Sequence, residues 1–173
     1  KTLDLSYFAR HDPADIAWHA RTLWRHLKSA SPVVVARPSS AGDGLQVLVY
    51  SPDRPDLFAR ICGYFEGAGF SIQDAKVHTT RTGYAIDTFQ VLSTHMEDGA
   101  SAADYRNLIS LVQTQAVAAL ASDGLLPEPG RSRVSRRVRS FPVVPRVSLA
   151  PDERAQRWLL SVSASDRSGL LYG

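Results

Sequence analysis

Two short stretches hold the residue types best suited to chemistry in this sequence. Asp53-Arg54-Pro55-Asp56-Leu57 follows the apolar run 45–50, and Asp166-Arg167-Ser168-Gly169-Leu170 follows the run 158–164, the two aspartates being 113 positions apart. In each, a strand-like run turns directly into a helix-like one. Such a turn aims the free N–H groups of the helix at whatever sits above it, and those groups favour an anion such as a carboxylate. A neighbouring aspartate can hold an ammonium group. The two together are the halves of a clamp for an α-amino acid. The plainer reading is a helix cap, with Asp53 or Asp166 capping the helix and Pro55 in its first turn. One residue can serve both ends, and the spacing leaves both readings open.

Other reactive residue types do not form recognised constellations. Cys62 is the single cysteine, so no disulfide can form within the chain, and a reducing, cytoplasmic setting is expected. It falls on the apolar side of a predicted helix, which reads as a buried structural thiol. His11, His19 and His26 are spaced eight and seven residues apart, which fits no short ligand motif, and no metal site is expected. Arg131, Arg133, Arg136, Arg137 and Arg139 crowd one stretch of a chain whose net charge is +3. Without interleaved aromatics to stack bases, this run reads as a solvated linker entering an edge strand rather than as a nucleic-acid surface.

The elements that must carry the two junctions follow from periodicity. Residues 12–28 begin with Asp12 and Pro13 and continue with Ile16, Ala20, Leu23, Trp24 and Leu27 at helical spacing. A short extended run and a Ser/Gly linker come next. Residues 45–50 read as a strand and 55–68 as a helix with Leu57, Phe58, Ile61, Cys62 and Phe65 inward. Residues 70–80 and 84–93 read as two strands joined at Gly83, which can take positive φ. A second helix follows, with Tyr105, Leu108, Ile109, Val112, Ala116, Ala119 and Leu120 in one stripe. The fourth strand is expected within 136–149, where Pro142 and Pro145 point to an edge.

The order is β-α-β-β-α-β. It predicts an α+β, ferredoxin-like sandwich: a four-stranded antiparallel sheet with both helices on one face, preceded by a helix. The boundaries read this way are 1–43 for a helix and linker leaving a preceding domain, 44–150 for a complete module, and 151–173 for the truncated start of a second. The first residue is Lys, no signal-like segment follows, and no apolar run approaches the ~20 residues of a membrane span, so a piece of a longer protein is expected, without a membrane partner.

The stretch "SPDRPDLFARICGYFEGAGFSIQDAKVHTTRTGYAIDTFQVL" resembles an ACT domain, the regulatory module that binds amino acids, whose commonest signature is Asp-Arg-Pro/Ser-Gly-Leu-Leu after the first strand. More narrowly, the chain resembles the C-terminal region of bacterial P-II uridylyltransferase/uridylyl-removing enzymes. "FARHDPADIAWHARTLWRH" is similar to the segment leaving their HD phosphohydrolase domain, and "LLSVSASDRSGLLYG" to the opening of their second ACT domain.

The resemblance implies a glutamine-sensing region that controls enzymes acting on the nitrogen-signalling protein P-II. It implies catalysis elsewhere, in nucleotidyltransferase and HD domains that use metal, magnesium being expected for the parent enzyme. None of those motifs is present, so no catalytic residue, metal ligand or cofactor is expected in this stretch. Carried onto this sequence, the candidate glutamine contacts are Ser51, Asp53, Arg54 and Leu57 in the first copy and Asp166, Arg167, Gly169 and Leu170 in the second. Asp56 departs from the signature, which has Gly there. A carboxylate at that position would crowd and repel a ligand carboxylate, so glutamine binding is expected to be weak or absent in the first copy alone. A second ACT domain is the expected partner, and a homodimer is possible through side-by-side pairing.

Two rival readings share the element order. An RNA-recognition module is partly matched by "TGYAIDTF", but Ile86 and Asp87 stand where aromatic and apolar residues are needed, and "LQVLVY" lacks a stacking aromatic. A purely dimerising module is compatible with everything above.

Overall fold

The computed structural model describes residues 3–40, 43–94, 101–122, 124, 144–152, 157–165 and 170. The chain divides near residue 127 into two units. The Arg131–Arg139 run and the junction residues Asp166, Arg167 and Gly169 lie outside the described residues.

The first unit opens with two helices, α1 (Leu5–Arg10) and α2 (Pro13–Leu23). Asp4 caps α1, its Oδ1 accepting from the N–H groups of Ser6 at 3.0 Å and Tyr7 at 3.2 Å. Pro13 starts α2, but Asp12 makes no side-chain cap bond. The helix stops at Leu23, earlier than its periodicity implies, and Trp24 and Leu27 are exposed. The buried positions are Tyr7, His11, Asp15, His19 and Leu23, each four residues from the next, so a largely polar face is what packs inward.

The sheet is α+β as expected, four-stranded and antiparallel throughout, with strand order β1-β2-β4-β3. Its strands are β1 (Val33–Pro38), β2 (Leu45–Pro52), β3 (Phe70–Lys76) and β4 (Tyr84–Ser93), with α3 (Leu57–Gly67) after β2 and α4 (Ala102–Ala121) after β4. The expected central strands, β2 and β4, are central.

The edge beside β2 differs from the sequence reading. It is β1; of the expected strand within 136–149, residues 146–149 belong to a separate hairpin, and 136–143 lie outside the described residues. The β-branched run Val33-Val34-Val35 needs only a short loop to pair with β2, so closing that hairpin costs little chain entropy. Gly44 makes the loop possible: its φ is +95° and a Cβ there would strike the Val91 carbonyl oxygen. The β1–β2 hairpin therefore spans the position read as a boundary at residue 43.

Alternation sorts the strand residues onto two faces. Val47, Val49, Ala85, Phe89 and Val91 meet Leu57, Ile61, Cys62 and Phe65 of α3 and Val112, Ala116 and Leu120 of α4. Leu48, Tyr50 and Ile86, on the other face, meet Tyr7 and Leu23, with Ile16 and Trp18 packed alongside. Coverage of both faces explains why β2 is apolar almost without interruption. A capping box between Ser101 and Asp104 starts α4.

The strand β3 ends at Lys76 rather than running to Thr80. A register shift between Ile72 and Asp74 bends it, and Thr79 makes a lone bridge to Ala85. Gly83, at φ +76°, closes the turn into β4 as expected.

The second unit contains a hairpin of β5 (Arg146–Asp152) and β6 (Arg157–Ser163). Val33 pairs with Tyr50 in the first hairpin, and Arg146 pairs with Ser163 in this one. The 113-residue offset between the two junctions carries the first pair onto the second. The repeat therefore includes the strand ahead of each junction.

Candidate functional site

The first junction is built by β2, the four residues 53–56 and the start of α3. Asp53 is exposed and fixed at two points. Its N–H donates to the Gly83 carbonyl at 2.9 Å, and its Oδ2 accepts from the Thr79 hydroxyl at 3.0 Å. Asp53 does not cap α3, whose N-cap position is Asp56, and the Asp56 side chain makes no cap bond either. Asp56 has φ +65°, the left-handed region that glycine enters without steric cost. A glycine in the signature thus has a backbone reason as well as room for a ligand.

The remaining candidates are occupied by the fold. Arg54 sends Nη2 to the Leu120 carbonyl oxygen at 2.6 Å, placing a cation at the C-terminal end of α4 where the helix dipole is negative. Ser51 is buried, and its hydroxyl donates to the Pro52 carbonyl at 3.2 Å. Leu57 packs in the core between sheet and helices. In the second copy Leu170 is described, as an exposed turn residue. The structure brings together, among the four first-copy candidates, a surface carboxylate at Asp53 and an arginine already engaged with α4.

Three residues that sequence reasoning did not assign to the site stand beside this carboxylate. Thr79 holds it, His78 adjoins Thr79, and Asp87 lies beneath. Asp87 is 1% exposed and its Oδ1 accepts the His78 backbone N–H at 3.2 Å. Burial pushes its pKa up to about 7, with a smaller push from the Asp53 charge, so the carboxyl is largely protonated below neutral pH. Its signal was present in the sequence: Asp87 has the inward parity of Ala85, Phe89 and Val91 in an otherwise apolar strand. The Cys62 thiol is pushed up to about 12, chiefly by burial, and is inert at neutral pH.

A second polar assembly joins α1 and α2 to the opposite face of the sheet. The Tyr7 hydroxyl and His19 Nδ1 are 2.6 Å apart, and His19 Nε2 is 3.3 Å from the Thr88 hydroxyl. Arg37 donates to Asp15 at 2.6 Å and to the Gln46 amide oxygen at 2.7 Å, and the Gln46 amide nitrogen donates to Asp15 at 3.1 Å. Burial depresses the His19 pKa to about 4, so the ring is neutral at physiological pH. A groove of about 480 Å³ opens beside α2, lined by Asp12, Asp15, Gln46, Asp74, Lys76 and Thr88 among others. Among the described residues no group of three or more His, Cys, Asp and Glu side chains is placed to hold a metal ion, and no helix is long and apolar enough to cross a membrane.

Comparison with known proteins gives a consistent answer. Residues 1–22 match the family described as the uridylyltransferase GlnD fifth domain. The chain is 56% identical over 170 residues, 98% of its length, to a bifunctional uridylyltransferase/uridylyl-removing enzyme of Cupriavidus pinatubonensis. It is 55% identical over 173 residues to the enzyme of that description from Ralstonia nicotianae, and 54% identical over 170 residues to that from Burkholderia thailandensis. These alignments cover 19%, 20% and 19% of the relatives' lengths, so the chain spans about a fifth of the proteins it matches.

Proposed function

We propose, from the premise that this chain corresponds over nearly its whole length to one stretch of the bifunctional uridylyltransferase/uridylyl-removing enzymes, that it is a regulatory ACT-type region responding to glutamine. In this reading it carries no catalytic group of its own. It biases the modification and demodification of P-II performed elsewhere in the parent enzyme, which requires glutamine to favour one of two states of the whole protein. The observation that carries the reading is the placement of Asp53: an exposed carboxylate at the end of a central strand, directly ahead of a helix N-terminus.

The same geometry supports weak binding by the first copy. Arg54 is turned to α4, and the Asp56 carboxylate stands where a ligand carboxylate would approach α3. The second copy has Gly169 at that position and so has the better-matched junction. The rival reading as an RNA-binding sheet is disfavoured by the burial of Tyr50 and Ile86 under α1 and α2, because base stacking needs that face open.

Calorimetric titration with glutamine tests the proposal. This chain should give little or no heat, and a longer chain carrying the complete second repeat should bind. Asp56→Gly should strengthen binding to the first copy. Equal, tight binding by this chain and its Asp56→Gly variant would contradict the assigned role of Asp56. No binding by the longer chain would remove the sensor reading.

A further inference from the structure

Two adjacent residues between β3 and β4 grip different parts of the first unit. Thr79 bonds the Asp53 carboxylate at 3.0 Å. His78 is buried, with its ring centroid 5.2 Å from that of Tyr7 in α1. Tyr7 in turn lies 4.5 Å from the His11 ring and is 1% exposed. The stretch 77–80 is held to β4 by the Thr79–Ala85 bridge, whose two bonds are Ile86 N–H on the His78 carbonyl at 2.8 Å and Thr80 N–H on the Tyr84 carbonyl at 2.7 Å, by the His78 N–H on Asp87, and by the Thr80 hydroxyl and carbonyl, which accept from Tyr84 N–H and Gly83 N–H at 3.0 Å each.

We propose that the stretch 77–80 is a mechanical coupler between the β2–α3 junction and the helices α1 and α2, Thr79 reading the state of Asp53 and His78 transmitting it to Tyr7. The functional use of the coupler rests on the sensor reading above, since there a ligand ammonium takes the Asp53 carboxylate. The coupling itself does not.

The Thr79–Asp53 bond is exposed and neutral on its donor side, so a charged donor displaces it readily. Its loss releases the side-chain tether of residue 79 and leaves one bridge there. His78 cannot move without repacking Tyr7, because both rings are buried and interiors are close-packed. Among the described residues the Nε2 atoms of His78 and His11 are buried without a hydrogen-bond partner, so no bond at His78 Nε2 resists that movement, and His11 follows Tyr7 through Nδ1, 3.0 Å from the Tyr7 carbonyl oxygen. Downstream of Tyr7, its hydroxyl meets His19, and His19 meets Thr88, so displacement of Tyr7 is felt by both helices.

The test needs no ligand. Amide hydrogen exchange is followed in α1 and α2 and, as an internal standard, in α4. Thr79→Val removes the hydroxyl and keeps the shape. It should speed exchange in α1 and α2 about threefold or more, the size expected for coupling through packed side chains, and leave α4 unchanged. Thr79→Ser should restore the parent rates. Tyr7→Phe combined with Thr79→Val should give a non-additive change. Unchanged α1 and α2 rates in Thr79→Val, or strictly additive effects in the pair, would overturn the coupler. Glutamine titration of the longer chain separates the two ideas: binding with no Thr79→Val effect sinks the coupler alone, and a Thr79→Val effect without glutamine binding sinks the sensor alone.

Discussion

The β1–β2 and β5–β6 hairpins share a register and are each followed by an Asp-Arg-X-X-Leu junction, yet their surroundings differ. Leu45 and Val47 are fully buried, and the residues 113 positions on, Trp158 and Leu160, are 67% and 61% exposed. The difference lies in what covers each ribbon. In the first unit α3 and α4 cover one face and α1 and α2 the other, and β4 completes the ladder of β2. Pairing register is therefore a local property, set by turn and pattern, and burial is conferred by the elements that follow.

Truncation should separate the hairpins most sharply. Leu45→Ala should cost about 2–5 kcal/mol, as for buried leucines generally, and Trp158→Ala no more than about 0.5 kcal/mol. Urea denaturation followed by circular dichroism measures both. A comparable loss in the two variants would mean that the second hairpin is packed as tightly as the first.

Asp87 offers a second contrast, since the first unit has a carboxyl buried beneath its junction. Its folded pKa of about 7 lies above the unfolded value of 3.8, so the folded state holds the extra proton between those values. Stability from this group is present in full below pH 3.8 and is lost as pH rises toward 7. His19 acts in the opposite sense. Its folded pKa of about 4 lies below 6.5, so its contribution is intact above 6.5 and lost as pH falls to 4. Asp87→Asn keeps an acceptor for His78 N–H and removes the ionisation. It should stabilise the protein at pH 8 by a few kcal/mol, on the order of what a pKa displaced by about three units implies at about 1.4 kcal/mol per unit. It should also leave a profile in which stability rises from pH 4 to 6.5. Destabilisation at pH 8 would show that the carboxylate is needed in ionised form.

The two junction sequences differ at two positions, Pro55 against Ser168 and Asp56 against Gly169. Asp56→Gly gives the first copy the residue of the second, and relief at φ +65° should stabilise the fold by about 1 kcal/mol or less, because the added freedom of glycine in the unfolded chain offsets part of the gain. Arg54→Ala should cost about 1 kcal/mol by removing the cation from the α4 terminus. Thermal melts resolve both, and a destabilising Asp56→Gly would indicate that the aspartate side chain supports the turn.

Much of this was legible in the residue pattern. The helices α3 and α4, the central strands and the Gly83 turn follow from periodicity and turn chemistry, which are local. The edge strand was not legible, because Val33–Pro38 and the run near 149 are both β-branched and proline-bounded, and only pairing distinguishes them. At the site, Asp53 could be found from its place after a strand. Thr79 and His78 could not, since their roles arise where β3 leaves the ladder after an irregularity near Gln73. The inward-facing histidines of α1 and α2 were hidden for a related reason: a polar helical face reads as solvent-facing until its partners across the sheet are known.

The claim beneath the comparison is that each repeat begins with its own edge strand. Amide hydrogen exchange by NMR on the whole chain tests it directly. The inward-bonded amides of Val33–Pro38 should be protected to a degree comparable with β2, with cross-strand contacts between Val35 and Leu48, and those of Arg146–Asp152 should exchange much faster. Strong protection of Arg146–Asp152 with cross-strand contacts to β2, and free exchange in Val33–Pro38, would contradict it.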